Sequence, residues 1–157
     1  MKITIKTATI DDLKKVQELN FKLFKKERKE YDPSLNLDWT FGDIGTEYFR
    51  DRISKEDSCV LIAIVDNKIV GYLCGGITKA EAYRNLPLVV ELENTFVLEN
   101  FRSRGIGKKL YEEFIKWCKS KGVGKVRVEA FAQNLLAIKF YKNNNFKDYT
   151  LVLEADL

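Results

Sequence analysis

The chain predicts an α/β (α+β) fold: a mixed, mainly antiparallel sheet with one parallel β-α-β crossover and helices on both faces. Three observations carry this. Segments in which apolar residues alternate are interspersed with segments in which they recur every three or four residues. One strand–helix–strand run in the second half reads as a crossover, which makes its two strands parallel and its connection right-handed. The chain has 157 residues, 45% of them hydrophobic, enough for one core and too few for two ordinary domains. We therefore read residues 1–157 as a single domain.

The elements follow in order. Lys2–Thr7 alternates as a strand. Thr9 followed by Asp12 is a helix-start signature. Leu13, Val16, Leu19, Leu23 and Phe24 then fall at helical spacing, with lysines opposite. Glu27 to Trp39 is charged and aromatic and is broken at Asp32-Pro33; a second helix spans roughly Gly45–Ser54. Cys59–Val65 and Ile69–Thr78 flank the turn Asp66-Asn67-Lys68, which predicts an antiparallel hairpin. Leu88–Leu98 is a long strand. Gly105–Lys121 is a helix with Ile106, Leu110, Phe114 and Cys118 on its apolar face, closed by Gly122. Lys125–Phe131 completes the crossover. Asn134–Asn143 is a short helix and Phe146–Leu153 a last strand.

Composition excludes much chemistry. There is no histidine, which removes Ser-His-Asp and Cys-His nucleophile systems and every imidazole-bound metal. Three scattered cysteines, Cys59, Cys74 and Cys118, make neither a disulfide framework nor a four-thiolate zinc site. No metal is expected. With 27 Lys and Arg against 23 Asp and Glu, the net charge of +4 suits an anionic ligand but does not argue nucleic acid. The lysine-rich helix faces are balanced by acids and read as solvated surface. No segment reads as a signal peptide or a membrane span, which places the chain in the cytoplasm, away from the membrane.

The strongest motif is Arg102-Ser103-Arg104-Gly105-Ile106-Gly107-Lys108, after a strand and opening a helix. Two glycines let backbone N–H groups approach a ligand closely. The first-turn N–H groups lack helical partners, and the helix dipole favours an anion there. Arg102, Arg104 and Lys108 add positive charge to the rim, so the loop reads as a pyrophosphate cradle. There is no GxxxxGK[ST], and Leu110 stands where a dinucleotide fingerprint needs its third glycine.

Arg-x-x-Gly-x-Gly after a strand resembles the acyl-CoA-binding motif of the GNAT superfamily of N-acetyltransferases. Asn134-x-x-Ala137-x-x-Phe140-Tyr141, followed by Asn145-Phe146, is similar to that family's next motif. Asn145 stands where a small residue is usual. The resemblance covers nearly the whole chain and is weakest over Phe24–Asp57. It implies the acyl-CoA N-acyltransferase (GNAT) fold and acetyl-CoA as cosubstrate. It implies that Gly105, Ile106, Gly107 and Lys108 bind the pyrophosphate through their backbone, with Arg102 and Arg104 flanking. Phe96 and Val97 would pair with the pantetheine arm where the parallel strands splay, a β-augmentation by an amide-bearing ligand. Asn134 and Ala137 would contact the same arm, although Asn134 is equally a helix N-cap.

Tyr141 matches the residue that protonates the departing sulfur. A phenol with pKa ≈ 10 is close enough to a thiol's ≈ 8.5 for that role. Phe140 reads as the core member of the pair, which frees Tyr141. The attacking amine must lose a proton. Glu91, Glu93, Thr95 and Val97 alternate on one face of their strand, with Leu92, Phe96 and Leu98 on the other. Glu91 matches the base position of histone-acetylating members if a loop-length difference is allowed, and Glu129 an acidic position of ribosomal-protein N-terminal acetyltransferases. Glu91, Glu93 and Glu129 are the candidate bases, each also readable as a solvated face or an ion pair.

The segment Phe24–Asp57 should build the substrate side. Its acids and aromatics suit an amine, small molecule or protein. The expected activity is acetyl transfer to a primary amine. The alternative is a CoA-binding regulatory module of the same fold without significant catalysis. A homodimer is compatible with the resemblance, and the sequence leaves it open.

Overall fold

The computed structural model describes residues 1–157. Five strands form one sheet in sequence order: β1 (Ile3–Thr7), β2 (Ser58–Val65), β3 (Lys68–Thr78), β4 (Val89–Val97) and β5 (Lys125–Val128). The first three pairings are antiparallel and β4 with β5 is parallel. The helices are α1 (Leu13–Glu30), α2 (Asp43–Ser54), α3 (Ile106–Ser120) and α4 (Leu135–Asn143). α1 and α2 cover one face of the sheet, with Val16, Leu19 and Phe49 packed on Val60, Ile62, Tyr72 and Cys74. α3 covers the other, with Ile106, Leu110, Phe114 and Cys118 packed on Leu61, Ala63, Leu73, Val90 and Leu92.

Local chemistry sets the boundaries. Asp12 Oδ2 accepts the Thr9 N–H at 2.9 Å and turns the chain through Ile10–Asp12 into α1. Asp66 and Asn67 both take positive φ, 49° and 60°, the backbone a two-residue hairpin turn requires. α1 runs on to Glu30, into the charged and aromatic stretch and just short of the break at Asp32-Pro33. Its first half is tied to the chain that follows: Gln17 Nε2 donates to the Thr40 carbonyl at 2.9 Å, and Thr40 Oγ1 donates to Asn20 Oδ1 at 2.8 Å.

Four expectations are corrected. β4 carries a register shift: Cys74 pairs with Asn94 but Gly75 with Leu92, so Glu93 is an extra, bulged residue. The bulge reverses the parity beyond it. Leu92 packs on α3 while Phe96 joins the α1–α2 face, and Val97 turns to the α3 side. Glu91 and Glu93 therefore do not share a face with Thr95 and Val97. Second, β5 ends at Val128, so Glu129 and Phe131 lie beyond it. Third, no strand forms over Phe146–Leu153: residues 147–157 make no backbone hydrogen bond, and Leu151, Val152 and Leu153 are exposed. The period-two pattern is present, but a strand exists only where an edge pairs with it. Fourth, Tyr141 rather than Phe140 packs against the main core, while Phe140 lies against Tyr111 and near Gly107.

Candidate active site

The site starts where the parallel pair ends. β4 and β5 are paired up to Leu92 and Val128 and separate beyond. The Leu98 N–H donates to the Val70 carbonyl at 2.8 Å. Backbone groups alternate in direction along a strand, so Thr95 and Val97 turn theirs away from β3, toward the opening, whereas Phe96, expected to pair with the arm, turns its own toward β3. That free edge leads through a turn at Glu99–Phe101 into the glycine loop.

In the loop Ser103 and Gly105 take positive φ, 58° and 78°. The second is an uncommon conformation for a residue with a Cβ and is natural for glycine. It sets Gly105 as the N-cap of α3. The N–H groups of Ser103 through Lys108 have no partner within the chain, and those of the first turn of α3 carry its positive end. Gly107 keeps the surface low; a Cβ there would lie 3.9 Å from the Phe140 ring. Arg102 serves the scaffold: its Nε donates to the Val97 carbonyl at 2.9 Å, and its guanidinium lies 5.4 Å from the Phe96 ring centre. Arg104 leans toward Met1 and Phe101, and Lys108 is exposed beside Glu112. The backbone donors, more than the side-chain charges, make this loop an anion cradle.

On the α3 side of the opening stands Tyr141. Asn134 caps α4 by accepting the Ala137 N–H at 3.1 Å, which orients the helix that carries it. Tyr141 is packed by Phe140 and Phe146, with ring centres 5.5 and 5.4 Å away. Burial pushes its phenol up to about 12, opposed by the nearby Thr95 hydroxyl. Thr95 Oγ1 is itself buried and makes no hydrogen bond of normal geometry.

The opposite face holds the acids. Glu93 accepts from Arg52 at 2.8 and 2.6 Å and from the Tyr48 hydroxyl at 2.5 Å. Its carboxylate is committed. The Tyr48 phenol and the Cys74 thiol beside it are both pushed up, first by burial. Glu91 is half-buried; burial raises its pKa, with Glu129 adding to it and Arg127 opposing it. Glu129 is exposed, and Arg127 is paired to Glu81 at 2.7 Å. Thus Glu91 and Glu129 lie within electrostatic reach of each other, Glu93 is tied into a scaffold, and Tyr141 stands on the other face of the sheet from Glu91 and Glu93.

Sequence reasoning missed two residues. Asn94, placed inward by the bulge, accepts the Tyr72 hydroxyl at 2.8 Å and is reached by Asn20 at 3.3 Å. Glu27 lies on α1, partly buried, with no ion pair; burial pushes its carboxyl up to about 7. It continues the inward stripe of Val16, Asn20 and Leu23, a periodicity that could have revealed it. Two open surface concavities, of about 510 and 500 Å³, lie elsewhere, at the Asn67 turn and the 79–87 connection. No group of three or more Cys, Asp or Glu side chains is gathered for a metal ion, and no helix is long and apolar enough to cross a membrane.

The parallel pair thus opens toward the glycine loop, with a buried tyrosine on one side and carboxylates on the other. The model of the Acetyltransferase (GNAT) family matches residues 16–146, and the chain belongs to that family. The uncharacterized N-acetyltransferase MJ1207 of Methanocaldococcus jannaschii is 30% identical over 152 residues; the match covers 95% of this chain and 62% of that protein. The chain thus spans less than two thirds of that relative's length. An N-alpha-acetyltransferase of Saccharolobus solfataricus is 26% identical over 149 residues, 92% of this chain and 80% of its own. Among solved structures, a tetramutant of the BH1408 protein from Bacillus halodurans superposes with TM-score 0.80 at 22% identity, covering 98% and 99% of the two chains. The aminoglycoside N-acetyltransferase AAC(6')-Iy, bound to a CoA-S-monomethyl-acetylneamine bisubstrate analogue, gives 0.76 at 20%, covering 100% and 99%. At these identities the structural likeness is one of fold.

Proposed function

We propose that this chain is an acetyl-CoA-dependent N-acetyltransferase that acetylates a primary amine, working as one domain in the cytoplasm. One observation carries the reading: the unpaired edge of β4 runs directly into a loop whose backbone N–H groups are free. That edge fits the amide-bearing pantetheine arm and that loop a pyrophosphate, so the residues present fit acetyl-CoA. The Thr95 main chain and the Val97 N–H would hold the arm, and Ser103 through Lys108 the pyrophosphate. The cosubstrate supplies an acetyl thioester, whose carbonyl carbon is open to an amine.

The chain's own residues do the rest. Tyr141, protonated across the working pH range, faces the departing sulfur and steadies its charge. Asn134 orients α4 and so aims Tyr141. Glu91 and Glu129, neither bound to a cation, make the opposite face attractive to an ammonium group. Trp39, Tyr48 and Phe49 back that face with an aromatic wall, ring centres 4.8 to 6.0 Å apart. An amine in a small, multiply charged molecule or on a protein fits such a surface. AAC(6')-Iy and the Saccharolobus N-alpha-acetyltransferase mark those two classes among proteins of the same fold or family.

The test is acetyl transfer from acetyl-CoA to a panel of polyamines, amino sugars, lysine peptides and free N-terminal peptides, read by mass. Acetyl-CoA binding is measured on the same sample. A mass gain of one acetyl group supports the reading and sorts the acceptor class. Binding without any product would favour a CoA-responsive binding module, and no binding would overturn both.

A further inference from the structure

We propose that Glu27 is the catalytic residue that takes the proton from the acceptor ammonium, in place of the β4 carboxylates; this rests on the acetyltransferase reading above. The argument is one of position. Asn20 and Glu27 are seven residues apart on α1, hence on one helix face, and Tyr31 caps its C-terminal end, its N–H donating to the Glu27 carbonyl at 2.8 Å. Asn20 Nδ2 donates to Tyr72 of β3 at 3.0 Å and to Asn94 of β4 at 3.3 Å. Tyr31 stacks on Phe131, three residues beyond β5, with ring centres 5.4 Å apart. A helix fixed over β4 at one point and past β5 at the next crosses the gap between them. Along its axis Glu27 lies about 10 Å from Asn20 and about 6 Å from Tyr31. That puts its carboxyl over the opening where Thr95 and Val97 present their free edge, with Tyr141 approaching from the other face.

The competing carboxylates are less well placed. Glu93 is held by Arg52 and Tyr48. Glu91 lies in the paired part of β4, opposite Arg127, and Asn94 stands about 10 Å further along the strand. Glu129 is exposed, outside the sheet. The charged and titratable groups around Glu27 leave it free to accept a proton. Lys26, its neighbour on α1, is committed to Glu30 at 2.7 Å. Tyr72 from β3 and Tyr141 from α4 lie within its electrostatic reach; burial raises both phenols first, and the Glu27 charge adds to it. No cation is paired with it, and burial brings its carboxyl to about 7, the range in which a general base works best at neutral pH.

The protons balance. Glu27 takes one proton from the ammonium, and the freed nitrogen forms the amide bond to the carbonyl carbon as the carbon–sulfur bond breaks. Tyr141 passes its proton to the sulfur while taking up the nitrogen's second proton through water. Glu27 then returns its proton to solvent, so the cycle releases one proton with the thiol and the amide.

The experiment uses wild type, Glu27→Gln and Glu27→Asp with whichever amine the panel accepts, across about pH 5.5 to 9. Glu27→Gln is expected to lower kcat/KM about 10²-fold and to erase the acidic limb near pH 7, with acetyl-CoA affinity unchanged. Glu27→Asp should keep the limb at reduced rate, which separates a proton role from a packing role. Carbon-13 NMR of glutamate-labelled protein, without substrate, should show a carboxyl titrating near 7 that Glu27→Gln removes. Wild-type kcat/KM with the limb intact in Glu27→Gln, or no such carboxyl signal, overturns the proposal while leaving the acetyltransferase reading standing. A wild type that acetylates nothing in the panel overturns that reading, and this assignment with it.

Discussion

Glu27 makes the stability of the fold depend on pH in a way that needs no substrate to observe. Its carboxyl titrates near its ordinary 4.5 in the unfolded chain and at about 7 in the fold. The folded state therefore holds the proton more tightly. The stabilisation is fully present below 4.5 and is lost as pH rises through 7. The whole difference corresponds to about 3 kcal/mol at 1.36 kcal/mol per pH unit. Glu27 is only partly withdrawn from water, so solvent screening reduces this to about 1–2 kcal/mol. Glu27→Gln abolishes the titration without changing the side chain's size. Urea denaturation of both proteins from about pH 4.5 to 8 should show the glutamine variant gaining about 1–2 kcal/mol relative to wild type. At about 2 kcal/mol/M, that is a midpoint shift of about 0.5–1 M. A relative stability that stays flat with pH would refute the reasoning. One that moves the other way would mean that Glu27 is ion-paired in the fold.

Three further outcomes follow from the same geometry. Arg52→Met leaves the Glu93 carboxylate without its two guanidinium bonds; with the two side chains only 27% and 20% exposed, it should cost about 2–3 kcal/mol in urea unfolding. Adding Glu93→Leu should recover most of that, and a single-variant loss below about 1 kcal/mol would show the pair to be ornamental. Gly107→Trp should abolish acetyl-CoA binding in calorimetry by filling the cradle beside Phe140, and unchanged affinity would end the loop assignment. Tyr141→Phe should lower kcat by about 10²-fold at nearly constant acetyl-CoA affinity, and a wild-type kcat would remove its role at the sulfur.

The residues explain which parts of this were legible in the chain. The glycine loop, the crossover and the Asn134 cap depend on neighbours a few positions away, so spacing alone locates them. The faces of β4 do not. The strand alternates on paper through Glu93, yet the register slips there. The slip depends on pairing with β3, where Gly75 sits so close to Glu91 and Phe114 that a Cβ would lie 2.5 and 2.8 Å from them. Thr95 and Val97 accordingly changed sides. Tyr141 and Phe140 exchanged places for a similar reason: the docking angle of α4 on α3, not its own periodicity, decides which ring meets the core. The segment Phe146–Leu153 has the alternation of a strand and no edge to bond with.

Sequence by itself determined the class of fold, the order of its elements up to α4 and the glycine loop that opens α3, because each rests on hydrogen bonds and periodicities within one or two turns of chain. Tertiary structure decided the acceptor side. Glu27, Asn94 and Tyr141 come from a helix, a bulged strand and a second helix far apart in sequence, and only the packing of α1 across the gap between β4 and β5 brings them to one opening. Glu27 looks like any surface acid in the run Lys25-Lys26-Glu27-Arg28-Lys29-Glu30. Burial without a partner, which the sequence cannot express, is what raises its proton affinity and gives it chemistry to do.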